Sequence, residues 1–497
     1  MDRGNPAKGS ALTDPMTFRE HLPRWFRPGI YLAHNGLTMA GGVLTTSSAL
    51  TIIAFWMFDL ATGGTINPYV GVIFFLILPG IFALGLLLIP AGLLWHRRRL
   101  RSSGQLPDEY PQLDFSWLYF RHAAAWVGGL TLLNVIILSV GSYRGVEYMD
   151  SANFCGQTCH TVMQPEFMAY GNSAHQRVGC VQCHIGPGAG WFVKSKLSGV
   201  RQVLAVTFHT YDRPIPSPVE QLRPARETCE QCHWPQKFTG DKLIVRKKYS
   251  DDEKNTPLMT VLVMKIGGHS GQAGVGIHGR HLDAQSRVEY VAADRQRQVL
   301  PRVTYLDDDG KKIDFVSTDA APAPLPSLAA ESRAMDCVDC HNRPAHTFQL
   351  PDRAIDQAMS EGLISSDLPY IKKKSAEALK AIYSDRDDAA RRIAASLNDF
   401  YRASYPDTFR DQRSRIDAAV SQVQAIYLRN VFPAMNVTWG TYPNNLGHTD
   451  FPGCFRCHDG GHSTANGRTI SNDCETCHSL LAVDESNPKV LDALGMK

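Results

Sequence analysis

All twelve cysteines of the 497-residue chain fall in pairs, and each pair is followed at once by histidine. The six units are Cys155-Gly-Gln-Thr-Cys159-His160, Cys180-Val-Gln-Cys183-His184, Cys229-Glu-Gln-Cys232-His233, Cys337-Val-Asp-Cys340-His341, Cys454-Phe-Arg-Cys457-His458 and Cys474-Glu-Thr-Cys477-His478. The last five have the spacing of covalent c-type haem attachment. Two thiols reach the two vinyl groups on one porphyrin edge, and the next residue lies under the iron, where imidazole is a ligand. Disulfides would not need a histidine behind every second cysteine. Zinc sites use isolated Cys pairs, without a repeated Cys-Cys-His unit. The first unit has three residues between its thiols. The extra residue bulges outward if both thiols bind haem; the alternative is a lost site whose thiols form a disulfide. The expectation is six covalently bound haem c groups.

Electron-transfer haems of low potential want a second imidazole opposite the first. The chain has 18 histidines, of which six are the motif residues His160, His184, His233, His341, His458 and His478. His21, His34, His96 and His122 lie on or near one side of the apolar segments described below and are set aside. His175, His209, His269, His278, His281, His346, His448 and His462 remain. His346 and His462 follow His341 and His458 so closely that neither can easily reach the far face of its own haem. Each is expected on a neighbouring haem, clipping successive groups together. His175 and His448 have the same geometry in reverse, just before Cys180 and Cys454. His209 and His278 complete the expected set, with His281 and His269 as spares, since an exposed histidine is most often only a surface residue.

What must position these groups begins at a membrane. Leu37–Phe58, Tyr69–Leu94 and Ala123–Tyr143 are uncharged runs, each near the roughly 20 residues that cross a hydrocarbon core. Thr45-Thr46-Ser47-Ser48 in the first run can bond back to their own helix or to a neighbour; the alternative is a polar lining for a lipid-soluble ligand. Arg19, Arg24, Arg27, Arg97-Arg98-Arg99 and Arg101 flank the runs, whereas Asp59–Pro68 has no Lys or Arg. Basic loops stay inside, so the N-terminus is expected in the cytoplasm of a bacterial inner membrane and the haem portion outside it, in the periplasm. The long polar stretch before the first run does not read as a cleaved signal. A net charge of +3 argues against nucleic acid.

The fold class expected is a three-helix transmembrane anchor plus a haem-packed, mostly α/irregular periplasmic multihaem domain with a small β-hairpin insertion. Residues 1–36 form a cytoplasmic N-terminus, 37–143 the anchor and 144–235 a three-haem module. Residues 236–330 form a β-rich insertion and linker, with hairpin signals at Lys242–Tyr249/Leu258–Ile266 and Val299–Leu306/Lys312–Ser317. The stiff stretch Ala321–Pro326 leads to the fourth haem at 331–350. Residues 351–435 read as a helical spacer or docking element, with Ser384 or Asp385 capping a run through Phe400 and Asp407 capping one through Val431. Residues 436–497 form a two-haem C-terminal module.

The stretch from Ser139 to Pro235 resembles the NapC/NirT family of membrane-anchored multihaem quinol dehydrogenases. The resemblance rests on Cys155-Gly-Gln-Thr-Cys159-His160-Thr-Val-Met163-Gln-Pro-Glu166, on Ser173-Ala-His175-Gln-Arg-Val-Gly-Cys180-Val-Gln-Cys183-His184, and on the amphipathic Trp191-Phe-Val-Lys194-Ser-Lys196-Leu-Ser-Gly199. The wider arrangement resembles larger inner-membrane cytochromes of bacteria that pass electrons outside the cell. The resemblance implies oxidation of membrane quinol, menaquinol or ubiquinol, beside the first haem. It also implies that Met163 can replace His160 as iron ligand there. The basic residue that the resemblance implies near the site is matched by Lys194 or Lys196. The expected carboxylate is not matched, since Gln202 stands in that region, and Asp150 or Glu166 is the candidate base. The family usually has two residues between its first cysteines and one membrane helix; this chain has three of each.

The function expected is therefore quinol oxidation with electron delivery to periplasmic cytochromes or reductases. The alternatives are a wire subunit within a larger quinone-linked complex and a terminal reductase of a small oxyanion. The partners expected are the quinone pool, periplasmic redox proteins and the lipid bilayer; a homo-oligomer or larger complex is compatible with these features.

Overall fold

The computed structural model describes residues 27–62, 77–110, 117–158, 160–186, 189–219, 222–234, 240–267, 276–282, 288–307, 309–318 and 332–496. Arg19, Arg24, His21, Cys159, His269, residues 63–68 of the first loop and the linker 321–326 lie outside them, as does the side chain of His160. The chain divides into two units, Met1–Phe154 and Cys155–Lys497.

In the first unit, α1 (Arg27–Ala33), α2 (Gly36–Thr62), α3 (Leu78–Ser102) and α4 (Trp117–Met149) follow one another. Gly36–Met57, Leu78–Ser102 and Gly128–Met149 are long and apolar enough to cross a membrane. Small residues let α2 and α3 pack backbone to backbone. A Cβ on Gly85 would meet the Thr45 nitrogen at 2.7 Å, and one on Gly92 would meet the Thr38 nitrogen at 2.7 Å. The hydroxyls of Thr45 and Ser47 donate back to the carbonyls of Gly41 and Val43, each at 2.8 Å, and Ser48 donates to that of Leu44. These polar groups are thus satisfied within their own helix. Ala49, Ile52, Phe82 and Ile137 form the buried seam that joins α4 to the pair.

The second unit is mostly short helices and two small sheets. α5 (His160–Gly171), α6 (Cys180–His184), α7 (Ala189–Thr207), α8 (Ala225–Cys229), α9 (Gly276–Leu282) and α10 (Cys337–Cys340) carry or adjoin the first four attachment units. Strand β1 (Lys242–Tyr249) runs antiparallel to β2 (Pro257–Met264), with Tyr249 opposite Pro257. β3 (Val288–Val291), β4 (Arg302–Leu306), β5 (Lys312–Ser317) and β6 (Arg333–Ala334) follow. The strands do not make a freestanding insertion. β8 (His478–Glu485) adds to β2, and β7 (His462–Ser463) adds to β5, giving orders β1-β2-β8 and β6-β3-β4-β5-β7. Each sheet is completed by chain that carries or directly follows one of the last two attachment units. Sequence alone misses this because β7 is only two residues long and both added strands begin at a histidine that local pattern assigns to chemistry.

The stretch after the fourth unit has an ordinary apolar core. α11 (Pro351–Ser360), α12 (Ile371–Lys380), α13 (Arg386–Ser404), α14 (Pro406–Asp411) and α15 (Arg413–Asn430) bury Ile355, Ile364, Leu368, Ile371, Leu379, Ile393, Leu397, Tyr401 and Val423. Asp385 caps α13, accepting from the Asp388 nitrogen at 2.7 Å. The run expected from Asp407 to Val431 is instead broken at Gln412, and Asp407 sits in the first turn of the short α14, behind Pro406. Inside this core Lys372 donates to Asp356 at 2.7 Å, and Asp356 also accepts from the Tyr249 nitrogen at 3.0 Å. The second contact ties β1 to the helices.

Candidate haem centres

Each of the last five attachment units lies on or at the end of a tight helical turn, which brings its two thiols to one side, because residues three apart are neighbours on a helix. The turns are π-helical at Phe154–Thr158, α-helical at Cys180–His184, Ala225–Cys229 and Cys337–Cys340, and 3₁₀ at Gly453–Arg456 and Cys474–Thr476. The Cys337 turn is fixed by a capping box between Asp336 and Asp339. No described cysteine is in a disulfide.

Units that are successive in sequence are neighbours in space. The Cys180 thiol hydrogen-bonds with Cys155, which pulls its pKa down to about 7. Cys229 hydrogen-bonds with Cys337. Cys183 is close enough to Cys229 and Cys232, Cys457 to Cys340, and Cys477 to Cys454, for each pair to interact electrostatically. Among the described residues, each unit thus adjoins the one that follows it in the chain.

Five of the motif histidines face a second imidazole. His184 faces His346 with ring centres 6.1 Å apart, His233 faces His175 at 5.9 Å, and His341 faces His278 at 6.4 Å. His458 faces His281 at 5.9 Å, and His478 faces His448 at 6.1 Å. A metal-bound imidazole nitrogen sits about 2 Å from its metal, and the ring centre about 1 Å farther, so two imidazoles on opposite sides of one iron have centres about 6 Å apart. All five pairs have that separation, so the donor set fits haem iron. Burial lowers the pKa of His184, His278, His281, His341, His346 and His478, which favours the neutral ring that binds metal. Three of the partner rings are oriented by a backbone carbonyl at Nδ1: His175 by Pro344 at 3.2 Å, His281 by Ile277 at 2.7 Å and His346 by Glu166 at 3.1 Å. Such bonds fix which nitrogen is left for the metal.

The remaining expected residues are distributed as follows. Among the described residues, His462 faces none of the motif rings. It is 2% exposed, with Nδ1 against Asp459 at 2.9 Å and Nε2 against the Leu300 carbonyl at 2.7 Å. Both nitrogens are thus engaged within the protein, and His281 stands opposite His458 instead. The sequence does carry a signal for this: His278 and His281 are three apart on α9, hence on one face, and can serve two neighbouring irons. His209 is exposed, with a left-handed backbone, and its ring lies 6.4 Å from Tyr211. Met163 is half-buried on α5, one turn beyond His160. Glu166 has both carboxylate oxygens on Arg343, each at 3.1 Å, and one also 3.2 Å from His346 Nδ1. The hydrogen bond that orients the ring opposite His184 is accepted by the Glu166 backbone carbonyl, while the carboxylate is held by Arg343. Lys194 is exposed on α7 with its ammonium 4.7 Å over the Trp191 ring. Lys196 and Asp150 are half-buried.

Membrane-spanning helices, paired thiols and facing imidazoles together define a class: a membrane-anchored cytochrome c carrying several haems. Comparison with known proteins agrees. Residues 120–216 match the profile of the NapC/NirT cytochrome c family, N-terminal region. The chain is 41% identical over 457 residues to the cytochrome c-type protein ImcH of Geobacter sulfurreducens, covering 91% of this chain and 89% of that one. It is 27% identical over 104 residues to the cytochrome c-type protein NrfH of Wolinella succinogenes, covering 20% of this chain and 58% of that one. No solved structure matches. The chain belongs to the NapC/NirT family of membrane cytochromes c.

Proposed function

We propose that the protein carries six covalent haems, oxidises menaquinol or ubiquinol in a bacterial inner membrane, and passes the electrons along the row of attachment units to periplasmic cytochromes or reductases. The observation that carries this reading is the set of five facing imidazole pairs. Bound haem supplies one-electron chemistry, Fe(III) to Fe(II), at each centre. The twelve motif cysteines hold the six groups. His184/His346, His233/His175, His341/His278, His458/His281 and His478/His448 would hold the irons of five. Every pair joins residues from separate segments, so the ligands themselves tie the row together. The first centre takes His160 or Met163, and a thioether there raises the potential relative to two imidazoles.

Paired imidazoles favour electron transfer over terminal reduction of an oxyanion, because a reductase needs an open face at iron. Asp150 and Glu166 remain the proton acceptors to test, and Lys194 or Lys196 the group that orients a quinol oxygen. Glu166 has both carboxylate oxygens on Arg343, so acting as a base would require it to leave that pair. The N-terminus is assigned to the cytoplasm and the second unit to the periplasm on the arginine distribution. The decisive experiment is anaerobic mixing of the detergent-solubilised chain with a menaquinol analogue. Rapid growth of the reduced haem bands supports the reading. Reduction by dithionite but not by quinol would make the chain a wire fed by another subunit.

A further inference from the structure

The last imidazole pair differs from the other four. The planes of the His448 and His478 rings are 21° from parallel, whereas those of the other four pairs cross at 41° to 61°. His448 also lacks the device that orients His175, His281 and His346, since among the described residues nothing hydrogen-bonds its ring. What it has instead is Phe455, stacked on it with ring centres 4.2 Å apart and planes 16° from parallel. Phe455 lies between the thiols of the fifth unit, so it reaches from one centre to a ligand of the next.

The backbone that carries Phe455 is fixed. The following residue, Arg456, is 9% exposed and donates to the carbonyls of Gly453 at 2.8 Å, Arg297 at 2.7 Å and Asp339 at 2.7 Å. A guanidinium that spans three carbonyls from separate parts of the chain leaves the turn little freedom. A flat ring on a fixed turn can define the plane of an imidazole that lacks a hydrogen bond, because offset stacking holds two rings nearly parallel.

We propose that Phe455 is a positioning residue for the sixth haem: by stacking on His448 it holds that imidazole nearly parallel to His478. The inference rests on the reading that these two histidines ligate the sixth iron. The relative angle of two axial imidazoles has a spectroscopic consequence. Parallel planes split the iron d orbitals and give low-spin ferric haem a rhombic EPR spectrum. Planes that cross at a large angle leave the orbitals nearly degenerate and give a single feature at high g.

The test is low-temperature EPR on the oxidised holoprotein, with haem content measured in parallel. The parent is expected to show a rhombic low-spin signal from the sixth haem. Phe455→Leu should convert that signal toward high g without loss of haem or of low-spin character. Phe455→Tyr keeps the flat ring and should keep the parent spectrum. If Phe455→Leu incorporates haem poorly, Phe455→Met supplies similar volume without a flat face and is expected to behave as Leu does. An unchanged rhombic signal in the Leu or Met variant would overturn the proposal. His448→Ala separates this from failure of the ligand reading. It should turn one haem high-spin; if it does not, His448 is not a ligand and the premise fails.

Discussion

Arg456 donates a 2.7 Å hydrogen bond to the backbone carbonyl of Asp339, so a residue between the thiols of the fifth attachment unit grips one between the thiols of the fourth. The grip is reinforced from the other side. The Asp339 carboxylate is 1% exposed and accepts from Tyr290 at 2.6 Å, Arg297 at 2.9 Å and Arg333 at 3.3 Å. Burial and the adjacent carboxylate push the Tyr290 phenol well above its ordinary pKa, so it stays a donor throughout the physiological range. Replacing Arg456 with methionine keeps the bulk and removes the donors. A buried acceptor left without its partner costs about 1–3 kcal/mol. The variant is expected to melt earlier by circular dichroism while keeping its haem content. An unchanged melting curve would mean that the contact is stabilising neither unit.

Haem content is the plainest consequence of the cysteine pattern. Pyridine haemochrome assay and intact mass of the purified protein are expected to give six haems per chain. Five would indicate that the Cys155–His160 unit, with its three intervening residues, is empty. Four or fewer would sink the assignment as a whole.

The axial assignments separate two histidines that look alike in sequence. His281→Ala and His346→Ala should each turn one low-spin haem high-spin without loss of haem. His462→Ala should leave the spectra low-spin, since that ring is held by Asp459 and Leu300, and should instead lower stability. A high-spin signal from His462→Ala would reverse the choice between His462 and His281.

This contrast marks the limit of what can be read in the residues alone. Thiol spacing is dictated by one porphyrin edge and span length by one bilayer, so both are local and legible. Which imidazole faces which is set by contacts between separate segments, from His448 and His478, 30 residues apart, to His281 and His458, 177 apart, and no local rule carries those distances. His462 lies only four residues beyond His458, yet β7 pairing draws it under Leu300. Glu166 reads as a proton acceptor from its place after the first unit. Its commitment to Arg343 depends on a residue just beyond the fourth unit, which sequence spacing cannot bring near.

The helical body offers a stability test free of haem chemistry. Lys372 and Asp356 pair at 2.7 Å with side chains 4% and 10% exposed. Burial raises the Asp356 pKa, while the lysine opposes the shift. Asp356→Ala leaves a buried ammonium without its carboxylate and is expected to cost about 3–5 kcal/mol. The paired change Asp356→Leu with Lys372→Met removes both charges and should cost much less. Hydrogen exchange in Pro351–Asn430 would report the difference. Equal losses for the single and paired variants would show that the ion pair itself, rather than the orphaned charge, is what matters.

The quinol reading is tested most sharply at α7. Lys194 and Lys196 are two apart and therefore point to different faces of that helix. Lys194 is exposed beside Trp191, whereas Lys196 is half-buried. Replacing both with glutamine should slow haem reduction by a menaquinol analogue about tenfold or more, since about 1.4 kcal/mol of lost positioning is a factor of ten in rate. Reduction by dithionite, which needs no bound quinol, should be unchanged. The single variants then divide the effect between the two faces. A loss confined to the Lys196 variant would assign the contact to the half-buried lysine and leave Lys194 as an interfacial anchor on Trp191. If the double variant is reduced by quinol as fast as the parent, neither lysine touches quinol, and both serve only to hold α7 at a charged surface.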